Sequence, residues 1–566
     1  MAHEMSLTLE RILGSSLSWS LMQEIIVPNH LFIGFGVYIL YRIVHRLFLY
    51  PYLLSPLRDI PGPPLGNPLW GQSPTIIRSE TGIPQREWVK QYGPVVRVVG
   101  PIGIERMIFM KPEALHQVLV KDWLIYPRPN FLRNILGLVT GYGLLTVTGN
   151  DHKQMRKAMN PAFSIPNLMA QTFMYYTAID GLIDILNDKV GDQKDGKVIH
   201  VYDWMSKATL DIICETAFGY KANSLHNPHN ELAESYEKLL SLQSGPNLAK
   251  IITIMSIPGG AHLLASNWAY QHRKWFGALG ILNSIPILLE AMHNIRRISS
   301  GMLAEKLASA STLNISDTDA KRDIMSLLVR ARVADVKEAA GKEGGVAGEY
   351  RMSDQAMMDQ VLTFLGAGHE TTASGLTWTL WLLANAPEAQ AQLRAEVTPV
   401  WKENKHPDYR ALKELKWLDS VMQVSFMESL RIMPPVPLTV RKATESDYID
   451  GVYVPKGTLL SIPIRIVNTW KEIWGSDAEE FNPARWLDLP PEYHPTFSML
   501  SFIAGPHACI GKTMSIIEMK AVLGALITNF EFAPAFEGQK AKPAAAITMK
   551  PTDGMPLRVT RISRHI

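Results

Sequence analysis

The sequence predicts a mainly α-helical fold with small β-sheets (an α+β class), preceded by an apolar N-terminal segment. The strongest support is a proline-free stretch at 353–386, which Pro387 ends and which is long enough for a central helix. Further helical patterns occur at 168–190 and 201–219. Short strand-like segments, the first two of which predict a hairpin, occur at 95–100, 105–110, 451–464 and 545–560.

Composition argues against several classes of protein. The chain has 566 residues, of which 47% are hydrophobic and 19% charged, so a long disordered chain is excluded. Lys plus Arg number 56 and Asp plus Glu 53, a net charge of +3 that gives no electrostatic case for binding nucleic acid. The two cysteines, Cys214 and Cys509, are too few for a zinc module or an iron–sulfur cluster, and they favour a reducing compartment over a disulfide-stapled secreted fold.

The N-terminal segment contains a strongly apolar run at 31–41, LFIGFGVYILY. As a helix this run spans only ~16 Å, whereas a bilayer core needs ~30 Å. A longer span has to include either Pro28, Asn29 and His30 on one side or Arg42, His45 and Arg46 on the other. The two arginine side chains can reach the interface. We expect an uncleaved single-pass membrane anchor; the alternatives are an interfacial helix or a helix buried in the fold. Acidic residues precede the run and arginines follow it, which places the C-terminal side in the cytosol.

Prolines cluster after this segment. The sequence PGPP at 61–64 cannot be helical and predicts a stiff hinge. The predicted organisation is therefore a membrane anchor with the start of the proline-rich hinge at 1–60 and one large domain at 61–566. Within that domain, residues 333–350 are rich in glycine and charge and predict a mobile loop.

The predicted central helix contains three glycines, Gly366, Gly368 and Gly375. Each interior glycine costs about 1 kcal/mol relative to alanine, so their presence needs a reason. Close helix–helix packing is the explanation that the glycines alone favour, and close approach of a flat ligand is the other. Glu370 and Thr371 follow, and a carboxylate beside a hydroxyl in an apolar helix can hold water and relay protons.

A cysteine loop stands near the C-terminus, in SFIAGPHACIGKTMSIIEMK at 501–520. Cys509 lies between Gly505 and Gly511 and just before a helical pattern, where the helix N-terminus favours a thiolate. The glycines allow close backbone approach to whatever the sulfur binds, and amide N–H groups can tune a metal–thiolate bond. The alternative is an inert buried cysteine, which suits Cys214 in its helical context.

This loop resembles the haem-binding loop of the cytochromes P450, F-x-x-G-x-[RH]-x-C-x-G, at Phe502, Gly505, His507, Cys509 and Gly511. Three further segments resemble signatures of the same family and follow its chain order.

The first is AGHETT at 367–372, similar to the family's oxygen-activating helix. The second is the E-x-x-R pair Glu428 and Arg431, and the third is Arg485 in FNPARW, which completes a Glu–Arg–Arg triad in the family. The N-terminal anchor and the proline hinge resemble those of eukaryotic microsomal members.

The resemblance implies a cytochrome P450-like domain that holds haem b through Cys509, with the thiolate favouring O–O cleavage. Ala367 and Gly368 would lie against the distal face, Thr371 would hydrogen-bond the oxygen being activated, and Glu370 would help to deliver protons. The triad would be a structural ionic network.

Four positions match residues that contact the haem propionates in the family, namely His152, Arg156, Arg441 and His507. Two of them depart from the common pattern, since His152 stands where many members have Trp and His507 where many have Arg. A histidine can still donate a hydrogen bond, but its charge depends on pH. Variants with His at the second position are typical of fungal members.

The resemblance implies a membrane-anchored haem-thiolate monooxygenase, with the reaction RH + O₂ + NADPH + H⁺ giving ROH, water and NADP⁺. Electrons would come from a separate NADPH–cytochrome P450 reductase, with cytochrome b5 as a further candidate partner. The expected location is the endoplasmic reticulum membrane, with the catalytic domain in the cytosol. Lys512 and Lys520 are candidates for docking an acidic redox partner; ordinary solvated lysines are the alternative.

The expected substrate is an apolar small molecule, and the fungal character suggests terpenoid oxidation in specialised metabolism. Family analogy gives candidate contacts at 126–145, 435–439 and 547–549. The apolar stretch 245–290 is a second candidate membrane contact or an ordinary core helix. Two other functions remain open: an isomerase or dehydratase of the same fold that needs no external electrons, and a non-catalytic haem-binding protein.

Overall fold

The structure is a computed structural model that describes residues 33–242, 245–278, 280–312, 323–330, 352–414, 423–544 and 547–562. The chain divides into two compact units, one of Met1–Pro74 with Arg97–Arg106 and one of Thr75–Val96 with Met107–Ile566. The predicted mobile loop at 333–350 lies outside the described residues. The predicted domain boundary after residue 60 stays a prediction.

The first unit contains helix α1, Ile33–Leu54, whose apolar side chains are largely exposed. It is the one helix among the described residues long and apolar enough to cross a membrane. Its 22 residues extend beyond the predicted apolar run, because the helix continues through Arg42 and Arg46. Residues 33–44 are α-helical, and His45–Leu54 is a π-helix that contains Pro51. The exposure contradicts the alternative of a helix buried in the fold.

The proline segment after α1 is irregular, as predicted. Its backbone is hydrogen-bonded to the chain near Arg97, because the Arg97 amide donates to the Pro61 carbonyl at 3.0 Å. Arg97 also pairs with Glu105 at 2.6 Å, and both side chains are buried.

The remaining helices, in chain order, are α2 (Ser73–Arg78), α3 (Ile83–Tyr92), α4 (Pro112–His116), α5 (Asn130–Thr140), α6 (Gly149–Met159), α7 (Ile165–Gln171), α8 (Tyr175–Val190), α9 (Val201–Phe218), α10 (Glu231–Ser241), α11 (Gly245–Ser256), α12 (Gly260–Ala265), α13 (Asn267–Gln271), α14 (Arg273–Ala278), α15 (Ser284–Thr312), α16 (Asp354–Ala384), α17 (Pro387–Glu403), α18 (Tyr409–Glu414), α19 (Gln423–Ile432), α20 (Ile464–Val467), α21 (Lys471–Trp474) and α22 (Lys512–Asn529). A further helical segment lies at 324–330.

The strands are β1 (Val95–Val99), β2 (Glu105–Phe109), β3 (Lys197–His200), β4 (Thr439–Lys442), β5 (Asp447–Ile449), β6 (Val452–Val454), β7 (Leu459–Ile462), β8 (Phe530–Pro534) and β9 (Pro556–Arg561). They form three small sheets of order β1-β2-β7-β4, β3-β9-β8 and β5-β6. The predicted hairpin at 95–110 is confirmed as neighbouring strands β1 and β2. The antiparallel pairing of β4 with β7 sets Arg441 opposite Leu460.

The predicted central helix is confirmed as α16, which has 31 residues and is capped by Ser353, whose hydroxyl accepts from the Ala356 amide. Helices α5, α9, α15, α19 and α22 pack against it. Pro387 opens α17, as a proline in the first turn can.

Two element predictions need correction. The helix expected at 168–190 is broken between α7 and α8 by a 3-10 turn at Thr172–Met174. The strand expected at 545–560 begins only at Pro556, because the backbone before it bonds elsewhere: the Met549 carbonyl accepts from Trp378 Nε1 at 2.6 Å and Ser374 Oγ at 2.8 Å.

Candidate functional site

The central helix α16 is buried along most of its length but keeps accessible surface near its middle, at Gly366, Ala367, Gly368 and Thr371. Ala367 and Gly368 lie four and three residues before Thr371 and share its side of the helix, whereas Gly366 lies on another side. The Thr371 hydroxyl donates to the Ala367 carbonyl at 2.8 Å.

The three glycines of α16 are explained by packing. A Cβ atom at each would lie under 3.0 Å from a side chain of another element, namely Thr140 for Gly366, Ile213 for Gly368 and Met519 for Gly375. The packing explanation that the sequence favoured is therefore confirmed.

Glu370 is held in a buried polar network. Its carboxylate accepts from Tyr202 Oη at 2.7 and 2.8 Å and from Thr548 Oγ1 at 3.1 Å. Burial raises the pKa of Glu370, and the Tyr202 hydrogen bonds, the nearby charge of Lys550 and the Thr548 hydrogen bond oppose that rise. The side chain can therefore hold a proton closer to neutral pH than an exposed carboxyl does. Sequence reasoning missed Tyr202 and Thr548, which no motif marks.

The cysteine loop has a shape that requires glycine at one position. Gly505 has φ +74°, and a Cβ there would lie 2.1 Å from the Leu119 carbonyl oxygen. The Cys509 amide donates to the Phe502 carbonyl at 2.9 Å, which closes the loop just before α22. Gly511 is less constrained, because its own Cβ would meet only the Cys509 sulfur at 4.0 Å.

The environment of Cys509 suits a metal-bound thiolate. Burial raises the pKa of the thiol, whereas the Gly511 amide hydrogen bond and the charges of Arg156 and Lys512 lower it. The side chain nevertheless keeps accessible surface. The thiol is surrounded by protein atoms and yet keeps accessible surface. Both observations are expected of a sulfur that lines an internal cleft. Cys214, by contrast, is fully buried, as expected of an inert cysteine.

Positive charge collects around the predicted propionate contacts. Arg156 donates to the Ala508 carbonyl, next to Cys509. Arg441 is 2% exposed, and among the described residues its Nη2 has no hydrogen-bond partner. Arg128, which sequence reasoning missed, is also buried, and its Nη1 lies 3.2 Å from His507 Nδ1. The only sequence signal for Arg128 is its place between two prolines, YPRPN.

The two departing histidines are in contact with each other. The ring centroids of His152 and His507 lie 4.0 Å apart, and Trp123 meets both rings edge-on. Burial and the neighbouring arginines lower the pKa of His152 to about 4. The same causes lower the pKa of His507 to about 2, so both rings are neutral at pH 7.

These residues fit the haem that the sequence resemblance implies. The donor set is a single accessible cysteine thiol, which is the ligand chemistry of a haem thiolate. In the part of the chain that the structure describes, Arg441 Nη2 and His152 Nδ1 are buried polar atoms without a hydrogen-bond partner, and a carboxylate-bearing ligand would satisfy them. Cys509 would hold the iron, and the arginines and histidines would hold the carboxylates.

The predicted triad is brought together in a fully buried network. Arg431 donates to both oxygens of Glu428 at 2.7 Å, and Arg485 Nε donates to Glu428 Oε1 at 3.3 Å. Trp486 Nε1 also donates to this carboxylate at 2.9 Å, and Asp477 pairs with Arg485 at 2.7 Å. The structural role assigned to the triad stays a prediction, and the geometry agrees with it.

The two lysines proposed for partner docking differ. Lys512 is exposed, with its Nζ 5.6 Å from the centre of the Phe502 ring. Lys520 is 3% exposed, and its Nζ contacts the Leu412 carbonyl at 3.4 Å. A buried lysine cannot meet a partner at the surface, so the docking role suggested for Lys520 is wrong.

A small apolar cavity with an accessible volume of about 20 Å³ lies between α5, α10, α11, α15 and the segment after residue 546. Its lining is aliphatic throughout: Ile135, Leu138, Val139, Leu239, Leu242, Leu248, Ile251, Leu288 and Ile547. Two of the three predicted substrate segments, 126–145 and 547–549, contribute to it, and 435–439 does not. Part of the apolar stretch 245–290 lines it as well.

A family model described as Cytochrome P450 matches residues 61–557. Among curated proteins, Cytochrome P450 monooxygenase 205 from Postia placenta is 32% identical over 88% of this chain and 90% of the relative. Cytochrome P450 monooxygenase sphH from Aspergillus fumigatus is 29% identical over 92% and 91%, and Ganoderic acid synthetase CYP5150L8 from Ganoderma lucidum is 27% identical over 88% and 91%. Because the model match covers most of the chain and the relatives are matched nearly end to end, the chain belongs to the cytochrome P450 family and is a monooxygenase with fungal relatives.

Proposed function

We propose that this monooxygenase is membrane-anchored and oxidises an apolar small molecule with electrons from a separate NADPH–cytochrome P450 reductase. The observation that carries the proposal is the pairing of Thr371, on the accessible face of α16, with Glu370, buried beside it in a hydrogen-bonded network. An isomerase or a passive haem protein has no need of a hydroxyl and a proton-holding carboxyl at adjacent positions.

Haem bound by the Cys509 thiolate supplies oxygen activation and O–O cleavage. The chain's own residues supply the protons. Burial raises the pKa of Glu370, which makes its carboxyl group easier to protonate than an exposed one. Tyr202 and Thr548 fix the orientation of that carboxyl group, and the Thr371 hydroxyl can exchange its bond to the Ala367 carbonyl for one to a bound small molecule.

The aliphatic cavity supports an apolar substrate. A charged group placed there would lose hydration without gaining a partner, which is strongly unfavourable. The fungal relatives, one of them named for ganoderic acid, support a role in fungal specialised metabolism, and a terpenoid is the substrate class that we would screen first.

The proposed location is the endoplasmic reticulum membrane, with α1 as the anchor and the catalytic domain in the cytosol. A second membrane contact is supported by exposed aromatic side chains on the short helices α13 and α14. Trp268 is 48% exposed and Trp275 64% exposed, and Arg273 lies beside them. A variant lacking residues 1–54, and therefore all of α1, should still pellet with membranes, and Trp268→Ser with Trp275→Ser should release it. Release on truncation alone would refute the second contact.

The first test is the reduced carbon-monoxide difference spectrum of membranes with wild type and Cys509→Ala. We expect a thiolate-type Soret band in wild type and its loss in the variant. If wild type is well expressed and loaded with haem but shows no such band, oxygen activation is refuted and the non-catalytic function is favoured. Product formation without reductase would instead favour an isomerase or dehydratase.

The second test measures coupling with added reductase. Thr371→Ala should give less product and more peroxide per NADPH. Thr372→Ala is the matched control, because the Thr372 hydroxyl is buried and donates to the Gly368 carbonyl at 3.0 Å. Equal coupling in Thr371→Ala and wild type would refute the assigned role.

A further inference from the structure

The turn between β1 and β2, residues 100–104, is attached directly to the second half of α1. Arg46 Nε donates to the Ile102 carbonyl at 3.1 Å. Gly103 allows this contact, because a Cβ there would clash with the Arg46 carbonyl oxygen. The Ile102 amide also donates to the Leu69 carbonyl at 2.8 Å, which adds the segment at Leu69 and Trp70 to the same surface.

Ile102, at the tip of this turn, is both strained and exposed. Its backbone is left-handed, with φ 53° and ψ 39°, a conformation that is unfavourable for a β-branched residue. Burial does not offset that strain, because Ile102 is 54% exposed, and Leu69 and Trp70 are 47% and 46% exposed. A strained, apolar and exposed tip indicates contact with an apolar phase outside the chain.

Arg106 lies beside the same turn and lacks a counter-ion. Its Nε is buried, lies 3.2 Å from where a Cβ of Gly100 would be, and has no hydrogen-bond partner among the described residues. The neighbouring Glu105 is committed to Arg97 and Ser55, and successive residues of a strand face opposite sides. Burial lowers the pKa of Arg106, and no carboxylate in the described ranges offsets that effect. The guanidinium group therefore fits an anion from outside the polypeptide.

The contact with α1 places this turn at the level of lipid headgroups. The apolar run of the proposed anchor ends at Tyr41, and Arg42 and Arg46 follow it on the cytosolic side. The turn touches α1 at Arg46, where the helix leaves the hydrocarbon, and lipid phosphates occupy that layer. A guanidinium group donates to phosphate oxygens in pairs.

We propose that the β1–β2 turn is a phospholipid site, in which Arg106 binds the lipid phosphate while Ile102, Leu69 and Trp70 contact the acyl chains. An unpartnered cation next to exposed apolar side chains matches the two parts of one phospholipid, whereas a free phosphate ion needs no apolar neighbours. The inference rests on the proposed α1 anchor and deepens it, because the lipid would fix how this unit stands on the membrane.

The first test counts lipids on the full-length holoenzyme by native mass spectrometry. The protein is kept in maltoside micelles with equal amounts of dioleoylphosphatidylcholine and dioleoylglycerol, which lacks the phosphate. Wild type should retain phosphatidylcholine selectively. Arg106→Gln should reduce that selectivity about tenfold, the loss of a charge-assisted hydrogen bond, and Arg106→Lys should reduce it less.

The matched control is Arg58→Gln, because Arg58 lies in the same unit but already pairs with Asp59 and donates to the Leu53 carbonyl. It should keep wild-type selectivity. Ile102→Asn should lose lipid without losing stability, because asparagine adopts the left-handed conformation more easily. Unchanged selectivity in Arg106→Gln would overturn the proposal. Displacement of the lipid by an equal concentration of inorganic phosphate would assign the site to a free anion and would also overturn it.

The second test separates this site from the anchor. Nitroxide labels are attached to Tyr38→Cys, on α1, and to Ile102→Cys in phospholipid nanodiscs; Cys214 is fully buried and Cys509 is the proposed haem ligand. Both labels should collide with dissolved oxygen more than with a water-soluble nickel chelate, the label at 102 at shallower depth. A label at 38 in lipid with one at 102 in water would overturn the site alone, and both labels in water would refute the anchor as well.

Discussion

Replacing Arg431 by methionine should cost a large part of the stability of the domain. Arg431 and Glu428 are both 0% exposed, and two bonds of 2.7 Å join them. The substitution leaves the Glu428 carboxylate buried with only the weaker contacts to Arg485, Trp486 and the Asn482 amide. Breaking a buried pair from one side costs about 3–5 kcal/mol. The carbonyls of Asn468 and Ala478 also lose their donor, which places the expected cost at the upper end of that range.

A matched control is Arg297→Met, which breaks an ion pair with Glu231 whose side chains are 55% and 49% exposed. An exposed pair of this kind contributes about 1 kcal/mol or less. The loss of stability in Arg431→Lys should lie between the losses in Arg431→Met and Arg297→Met, because lysine keeps the charge but cannot donate to both carboxylate oxygens. Denaturant titration followed by tryptophan fluorescence and by circular dichroism gives the free energies of unfolding. If Arg431→Met loses no more than Arg297→Met, the reasoning is wrong.

Three further predictions concern proton delivery, pH and the cysteine loop. Tyr202→Phe removes hydrogen bonds that favour the ionised form of Glu370, so the pH at which coupling changes should move upward. The control is Tyr236→Phe, because the buried Tyr236 hydroxyl has no partner among the described residues; this variant should leave that pH unchanged. Burial raises the pKa of Glu396 to about 7, so this carboxyl group favours folding at low pH, and its contribution is lost as pH rises through about 7. Glu396→Gln should therefore raise the unfolding midpoint at pH 8 relative to wild type more than at pH 5; an equal effect at both values contradicts this. Gly505→Ala places a Cβ 2.1 Å from a backbone oxygen at φ +74°, so haem content should fall to a small fraction of wild type, and full haem loading would show that the loop tolerates a side chain.

Local patterns predicted the parts of the site that are close together in sequence. The glycines around Cys509 and the three-residue spacing of Glu428 and Arg431 required no tertiary information, and the structure places them as the motifs imply. The same holds for the central helix, whose uninterrupted apolar sequence and capping serine are local signals.

Contacts between distant segments could not be predicted in this way. Arg128 and His507 are 379 positions apart, and Tyr202 and Glu370 are 168 apart. No spacing rule connects such residues, because the packing of α9, α16 and the loops decides which of them meet. The docking role predicted for Lys520 was wrong for a related reason, because a charged residue in the sequence does not show whether neighbouring helices will bury its side chain.

The aliphatic lining of the cavity has a thermodynamic consequence. A ligand group that contacts Ile135, Leu288, Ile547 and their neighbours exchanges hydrated apolar surface for dispersion contacts. Binding should then show a clearly negative heat-capacity change and almost no dependence on ionic strength. Affinity for a series of analogues should follow the apolar area that each one buries, so the choice among substrates depends on shape rather than on charge recognition.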